Sequence, residues 1–71
     1  MPDMQYVDSS NIEAIGYDST NQHLHVRFLK SGITYIYYGV EDWVFQEFID
    51  AGSKGVFLNE RIKPNYQCAK Q

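Results

Sequence analysis

The chain has 71 residues, 44% of them apolar and 15% aromatic, and a formal net charge of −3. That length supports one domain that buries about 60% of its unfolded surface, and that apolar content excludes intrinsic disorder. The single Cys68 excludes an internal disulfide framework and suits a reducing, cytoplasmic setting, while the acid-rich first twenty residues, free of Lys and Arg, exclude a secretory leader.

Residues 1–8 show no hydrophobic periodicity and read as a flexible lead-in, with the domain proper at 9–66. Residues 11–17 form a candidate first strand. Ile15 and Tyr17 share a face at period two, and Ile12 joins them only if the strand bulges or bends near Glu13. Asp18-Ser19-Thr20-Asn21 is a turn, because each of these side chains can bond its own nearby backbone.

Residues 22–28 alternate strictly, with Leu24, Val26 and Phe28 expected inward and His23, His25 and Arg27 outward. Lys30-Ser31-Gly32 is a short loop, and a third strand follows at 33–38. Tyr35 and Tyr37 occupy one of its faces, and Thr34, Ile36 and Tyr38 the other.

After Gly39 the period lengthens to that of a helix: Val40, Val44, Phe48 and Ala51 make an apolar stripe, widened by Trp43, Phe45 and Ile49. Gly52 ends it. Ser53 is placed to cap a second helix reaching about Arg61, which is expected to turn Val56, Phe57 and Ile62 to the core. Residues 67–71 read as a flexible tail. The expected fold is therefore α+β: a three-stranded antiparallel β-meander followed by two helices packed on one face, in two layers. The aromatic helix covers the sheet, and at least one of the rings of Tyr35 and Tyr37 is expected to be mostly buried.

The order Ser9-Ser10-Asn11-Ile12, Ile15-Gly16-Tyr17-Asp18, Leu24-x-Val26-x-Phe28, Gly32, Tyr35-x-Tyr37 and Val40, continuing to Ser53-Lys54-Gly55, Phe57, Asn59 and Ile62, resembles the KTSC domain. That family is named for its occurrence at the C-terminus of some lysyl-tRNA synthetases and also includes small stand-alone bacterial and phage-type proteins. Glu41 stands where members often carry proline, and both residues suit a first helical turn. The synthetase fusion implies RNA as a partner.

Charge is unevenly spread. Residues 1–50 hold eight acids against Arg27 and Lys30, whereas residues 51–71 hold Lys54, Arg61, Lys63 and Lys70 against Glu60 alone. A polyanion would meet the C-terminal third. Tyr35 and Tyr37 could offer stacking platforms, with Arg27, Lys30, Lys54, Arg61 and Lys63 as phosphate contacts and the Ser53-Lys54-Gly55 turn as an anion site. His23 and His25 have the spacing of a chelating pair on one strand face but lack a third ligand in the sequence, so no metal and no cofactor is expected. Cys68 has no histidine nearby in sequence, and so small a domain leaves little room for a ligand cavity of about 300 Å³.

The sequence is thus read as a non-enzymatic binding domain, first as a protein-interaction module working as a monomer or weak homodimer through sheet edges and outward side chains. The alternative is RNA or single-stranded nucleic acid, bound through the basic third and the tyrosines. Membrane association is not expected.

Overall fold

The computed structural model describes residues 2–71; Met1, the first residue of the expected lead-in, lies outside them. The fold is α+β, with an antiparallel sheet and two helical segments, but the sheet has five strands rather than three. They are β1 (Gln5–Tyr6), β2 (Ile12–Asp18), β3 (His23–Phe28), β4 (Thr34–Tyr38) and β5 (Cys68–Lys70), and their order in the sheet is their order in the chain. The two added strands come from the segments read as lead-in and tail. Each is only two or three residues long, all of them exposed, so no inward alternation could announce it. Backbone pairing makes them: Tyr6 faces Ala14 on β2, and Ile36 on β4 faces Ala69.

The bulge falls where the apolar phase demands it. The register between β2 and β3 shifts between Ile12 and Ala14, so that Ile12 and Ile15 both join the main core despite their odd spacing. Ser9 Oγ prepares this strand by accepting hydrogen bonds from the amides of Asn11 and Ile12. At the β2–β3 turn, Asp18 Oδ1 accepts from the amides of Thr20 and Asn21, and Gln22 takes the left-handed conformation, with φ of 56°. Gly32, at φ 70°, and Gly39, at φ 75°, make the two later reversals.

The helix α1 (Asp42–Asp50) buries Val44 and Phe48 as its stripe requires, with Val40 buried just before it. Trp43 is not part of the cover: it is 58% exposed. It sits one position, or about 100°, from Val44, and the three-to-four spacing of Val40, Val44 and Phe48 already fills the sheet-facing stripe. Phe45 instead flanks the core by stacking on Tyr17 at 4.5 Å between ring centres. Tyr17 in turn directs its hydroxyl to the Val40 carbonyl and to Asp42 Oδ1, holding the start of α1 against β2.

The helix α2 (Lys54–Phe57) begins at the expected cap, with Ser53 Oγ accepting from the Val56 amide. It then widens into a π-helical stretch (Leu58–Ile62) closed by a hydrogen bond from the Lys63 amide to the Leu58 carbonyl. Leu58 and Ile62 form its buried face; Val56, expected inward, is 53% exposed. Leu58 lies two positions after Val56, which places them about 200° apart around the helix. Phe57 is only partly buried, and it stacks on Phe48 to join the two helices.

The sheet is also covered on its other face. His25 is buried at 5% exposure, contrary to the outward position its alternation gives it. Period two assigns His25 to the face opposite Leu24 and Val26, but cannot say whether that face is wet. Here residues 2–4 cross it above Gly16, the cross-strand neighbour of His25, and a Cβ at Gly16 would lie 2.7 Å from Met4 Sδ and 2.9 Å from the Asp3 carbonyl oxygen.

Candidate binding groove between the sheet and the second helix

A groove runs between the sheet and α2 with its π-helical extension, in three contiguous stretches. The first, of about 360 Å³, lies between the Ser9-Ser10-Asn11 segment and the Ser53-Lys54-Gly55 turn. The second, of about 300 Å³, shares Asn11, Gly55 and Asn59 with the first and continues past Lys30, Ser31, Phe28 and Lys63. The third, of about 340 Å³, shares Phe28 and Lys63 with the second and ends on Tyr35, Tyr37 and Cys68. The small domain thus has concavities of the size that seemed too large for it, because they are open troughs at a layer boundary rather than enclosed cavities.

Local structure explains each wall. Asn11 is held by its amide on Ser9 Oγ and by its carbonyl, which accepts from the Leu29 amide. Gly55 lets α2 approach closely, since a Cβ there would come within 3.3 Å of Asn11 Nδ2. Asn59 projects from the π-helical stretch and borders both polar stretches of the groove. Lys63 Nζ lies 5.5 Å from the centre of the Phe28 ring, a cation–π position. Phe28 in turn meets Tyr35 edge-on at 5.7 Å.

The structure divides the sequence-derived candidates. Lys30, Ser53, Lys54, Gly55, Lys63, Tyr35 and Tyr37 all border the groove. Arg27 does not: it lies on the sheet face away from the helices, ion-paired with Glu13 at 3.4 Å and near the Tyr6 ring. Arg61 is also elsewhere, paired with Glu47 at 2.8 Å and over Phe57. The tyrosines are packing residues first. Tyr37 is 3% exposed, and burial, followed by the neighbouring Cys68, pushes its hydroxyl up to about 12. Tyr35 is half-buried against Phe28. Lys54 donates to the Ala51 carbonyl at 2.8 Å, closing the C-terminal end of α1.

Asn11 and Asn59 also border the groove and are among the lining residues absent from the sequence-derived candidates. Both stand in the motif order quoted for the family resemblance, and asparagine on either side of a strand–helix junction was the available signal. The paired histidines separate by environment: His23 meets Tyr38 edge-on at 5.0 Å, while His25 is buried, and its Nδ1 makes no hydrogen bond among the described residues. Among the described residues, no group of three or more His, Cys, Asp or Glu side chains is placed to hold a metal ion. No helix among them is long and apolar enough to cross a membrane.

A five-stranded antiparallel sheet with two helical segments on one face, grooved along the seam, defines a small α+β domain class. The chain belongs to the KTSC domain family, whose pattern it matches over residues 8–66. It is similar to a protein of Tsukamurella paurometabola, with 47% identity over 65 residues, covering 92% of this chain and 96% of that one. It is also similar to an uncharacterized protein of Stutzerimonas stutzeri, with 37% identity over 60 residues, covering 84% of this chain and 83% of the other. A crystal structure of a KTSC domain protein from Yersinia pestis superposes with a TM-score of 0.94 at 41% identity, covering 100% of this chain and 99% of that one.

Proposed function

We propose that this chain is a non-enzymatic protein-interaction domain and that its binding face is the seam groove. The observation that carries the reading is the continuity of the three stretches through shared walls, which makes one elongated trough suited to an extended segment of another chain. Its walls alternate amide, hydroxyl and ammonium groups with the rings of Phe28 and Tyr35, the mixture that peptide backbone and side chains require. The groups whose proton affinities are raised most are tyrosines engaged in structure: Tyr17 bonds to Asp42, Tyr66 bonds to Glu41, and Tyr37 is buried in the core at one end of the groove. This supports a binding rather than a catalytic role. The domain acts in a reducing cytoplasm as a monomer or weak homodimer.

The lysines along the groove favour a second reading, single-stranded nucleic acid. The burial of Tyr37 weighs against it, because a ring in the core cannot serve as a stacking platform.

Selection of random peptides displayed on phage tests the first reading. The wild-type domain should enrich a peptide class that the groove-blocked variant Asn59→Trp does not enrich. Enrichment by neither, or equally by both, overturns it.

A further inference from the structure

The two ion pairs among the described residues use both arginines, Arg27 with Glu13 and Arg61 with Glu47, on surfaces away from the groove. Half of the six basic residues, Lys30, Lys54 and Lys63, stand along the groove without a carboxylate partner, and Asp8 is the one acid on its walls. Lys54 is committed to the Ala51 carbonyl and Lys63 lies over an aromatic ring, whereas Lys30 extends into solvent. The middle stretch is therefore lined by two lysines, Lys30 and Lys63, that have no carboxylate partner among the described residues. Beside them, the side-chain amides of Asn11 and Asn59 make no hydrogen bond within the described residues.

Resting on the protein-interaction reading, we propose that the middle stretch binds an acidic peptide segment, with one of its carboxylates seated between Lys30 and Lys63 and its backbone bonded by the amides of Asn11 and Asn59. Two lysines without an acidic partner on one stretch suit a carboxylate, and charge-assisted hydrogen bonds are the stronger kind. The protein's overall negative charge disfavours a polyanion at long range but hardly opposes a short segment carrying few charges. The open ends of the stretch let an extended chain pass through, which an isolated small anion would not require.

Titration of the 15N-labelled domain tests this with three probes: a hexapeptide alternating aspartate and glycine, its asparagine–glycine counterpart, and hexa-uridine. The aspartate peptide should shift the backbone amides of Asn11, Lys30, Ser31 and Asn59, and the asparagine peptide should bind about tenfold or more weakly. Lys30→Glu and Lys63→Glu should each weaken the aspartate peptide by a similar factor, with Lys70→Glu, a lysine outside the middle stretch, as the control. Lys30 is exposed, so Lys30→Gln supplies a folded variant even where Lys63→Glu does not. Equal binding of the asparagine peptide, or stronger binding of hexa-uridine at the same amides, overturns the proposal. If display selects groove-dependent peptides without acids, the carboxylate preference falls and the interaction reading stands. If display selects nothing, the interaction reading itself falls.

Discussion

Tyr66 donates its hydroxyl proton to Oε1 of Glu41 at 2.7 Å, tying the residues that follow the second helix to the residue that precedes the first. Burial, then this bond, pushes the Tyr66 hydroxyl up to about 12, and the same bond holds the Glu41 carboxyl below its ordinary 4.5. A carboxyl whose folded value is depressed contributes stability that is present above its unfolded value and is lost as pH falls through the folded value. Tyr66→Phe should therefore lower the melting temperature at pH 7. It should also flatten the acid limb of a melting-temperature profile below about pH 4.5. An unchanged acid limb in the variant would show that the bond contributes nothing to acid stability.

His25 gives a second, separable pH dependence. Burial, opposed in part by a hydrogen bond with Gln71, lowers its proton affinity below the ordinary 6.5. The unfolded chain therefore binds a proton before the folded one does, and stability must fall as pH drops through and below 6.5. Urea midpoints measured between pH 7.5 and 5 should show this slope in the wild type, and His25→Leu should remove it whatever its effect on the baseline.

At Gly16 the constraint is spatial. A methyl group there meets Met4 Sδ, which can swing aside, and the Asp3 carbonyl, which cannot without moving the backbone. Gly16→Ala should cost about 1–3 kcal/mol in chemical denaturation, as overpacking does. It should also speed amide exchange at Val7, whose N–H bonds the Glu13 carbonyl beside the displaced segment.

Phe48 and Trp43 offer the sharpest contrast in the first helix. Phe48 is fully buried against Phe57, and its truncation to alanine should cost about 3–5 kcal/mol. Trp43→Ala should stay within about 0.5 kcal/mol of wild type. A large loss at Trp43 in thermal or urea unfolding would contradict the exposed position of that ring.

These residues also show which parts of the molecule the sequence reveals. Where a feature rests on period, it is readable: the Leu24, Val26 and Phe28 face, the phase break that places a bulge at Glu13, the Val44 and Phe48 stripe, and the Ser53 cap. Where it rests on size or apolarity alone, it misleads. Trp43 and Val56 are large or apolar but out of phase with their helices, while Leu58 is in phase and buried. The outermost strands carry no pattern because pairing, not burial, creates them.

In the groove, Ser53, Lys54 and Gly55 lie on one segment and so were legible together, and Lys30 and Lys63 joined them through the fold. Arg27 and Arg61 carry the same charge as those lysines, but strand alternation and helix phase send them to other surfaces. Net basicity of a segment cannot report that separation.

The sheet order carries a kinetic consequence. Strands β1 to β4 are neighbours through short connections, so their pairings close small loops and can form early. The pairing of β4 with β5 encloses both helical segments, and the loop that must close is many times longer. Cys68, Ala69 and Lys70 should therefore join the sheet only after the helices have docked. The amide of Gln71, bonded to the Thr34 carbonyl at 2.8 Å just beyond β5, becomes a timer: its protection from exchange during refolding reads the last step of assembly rather than the first.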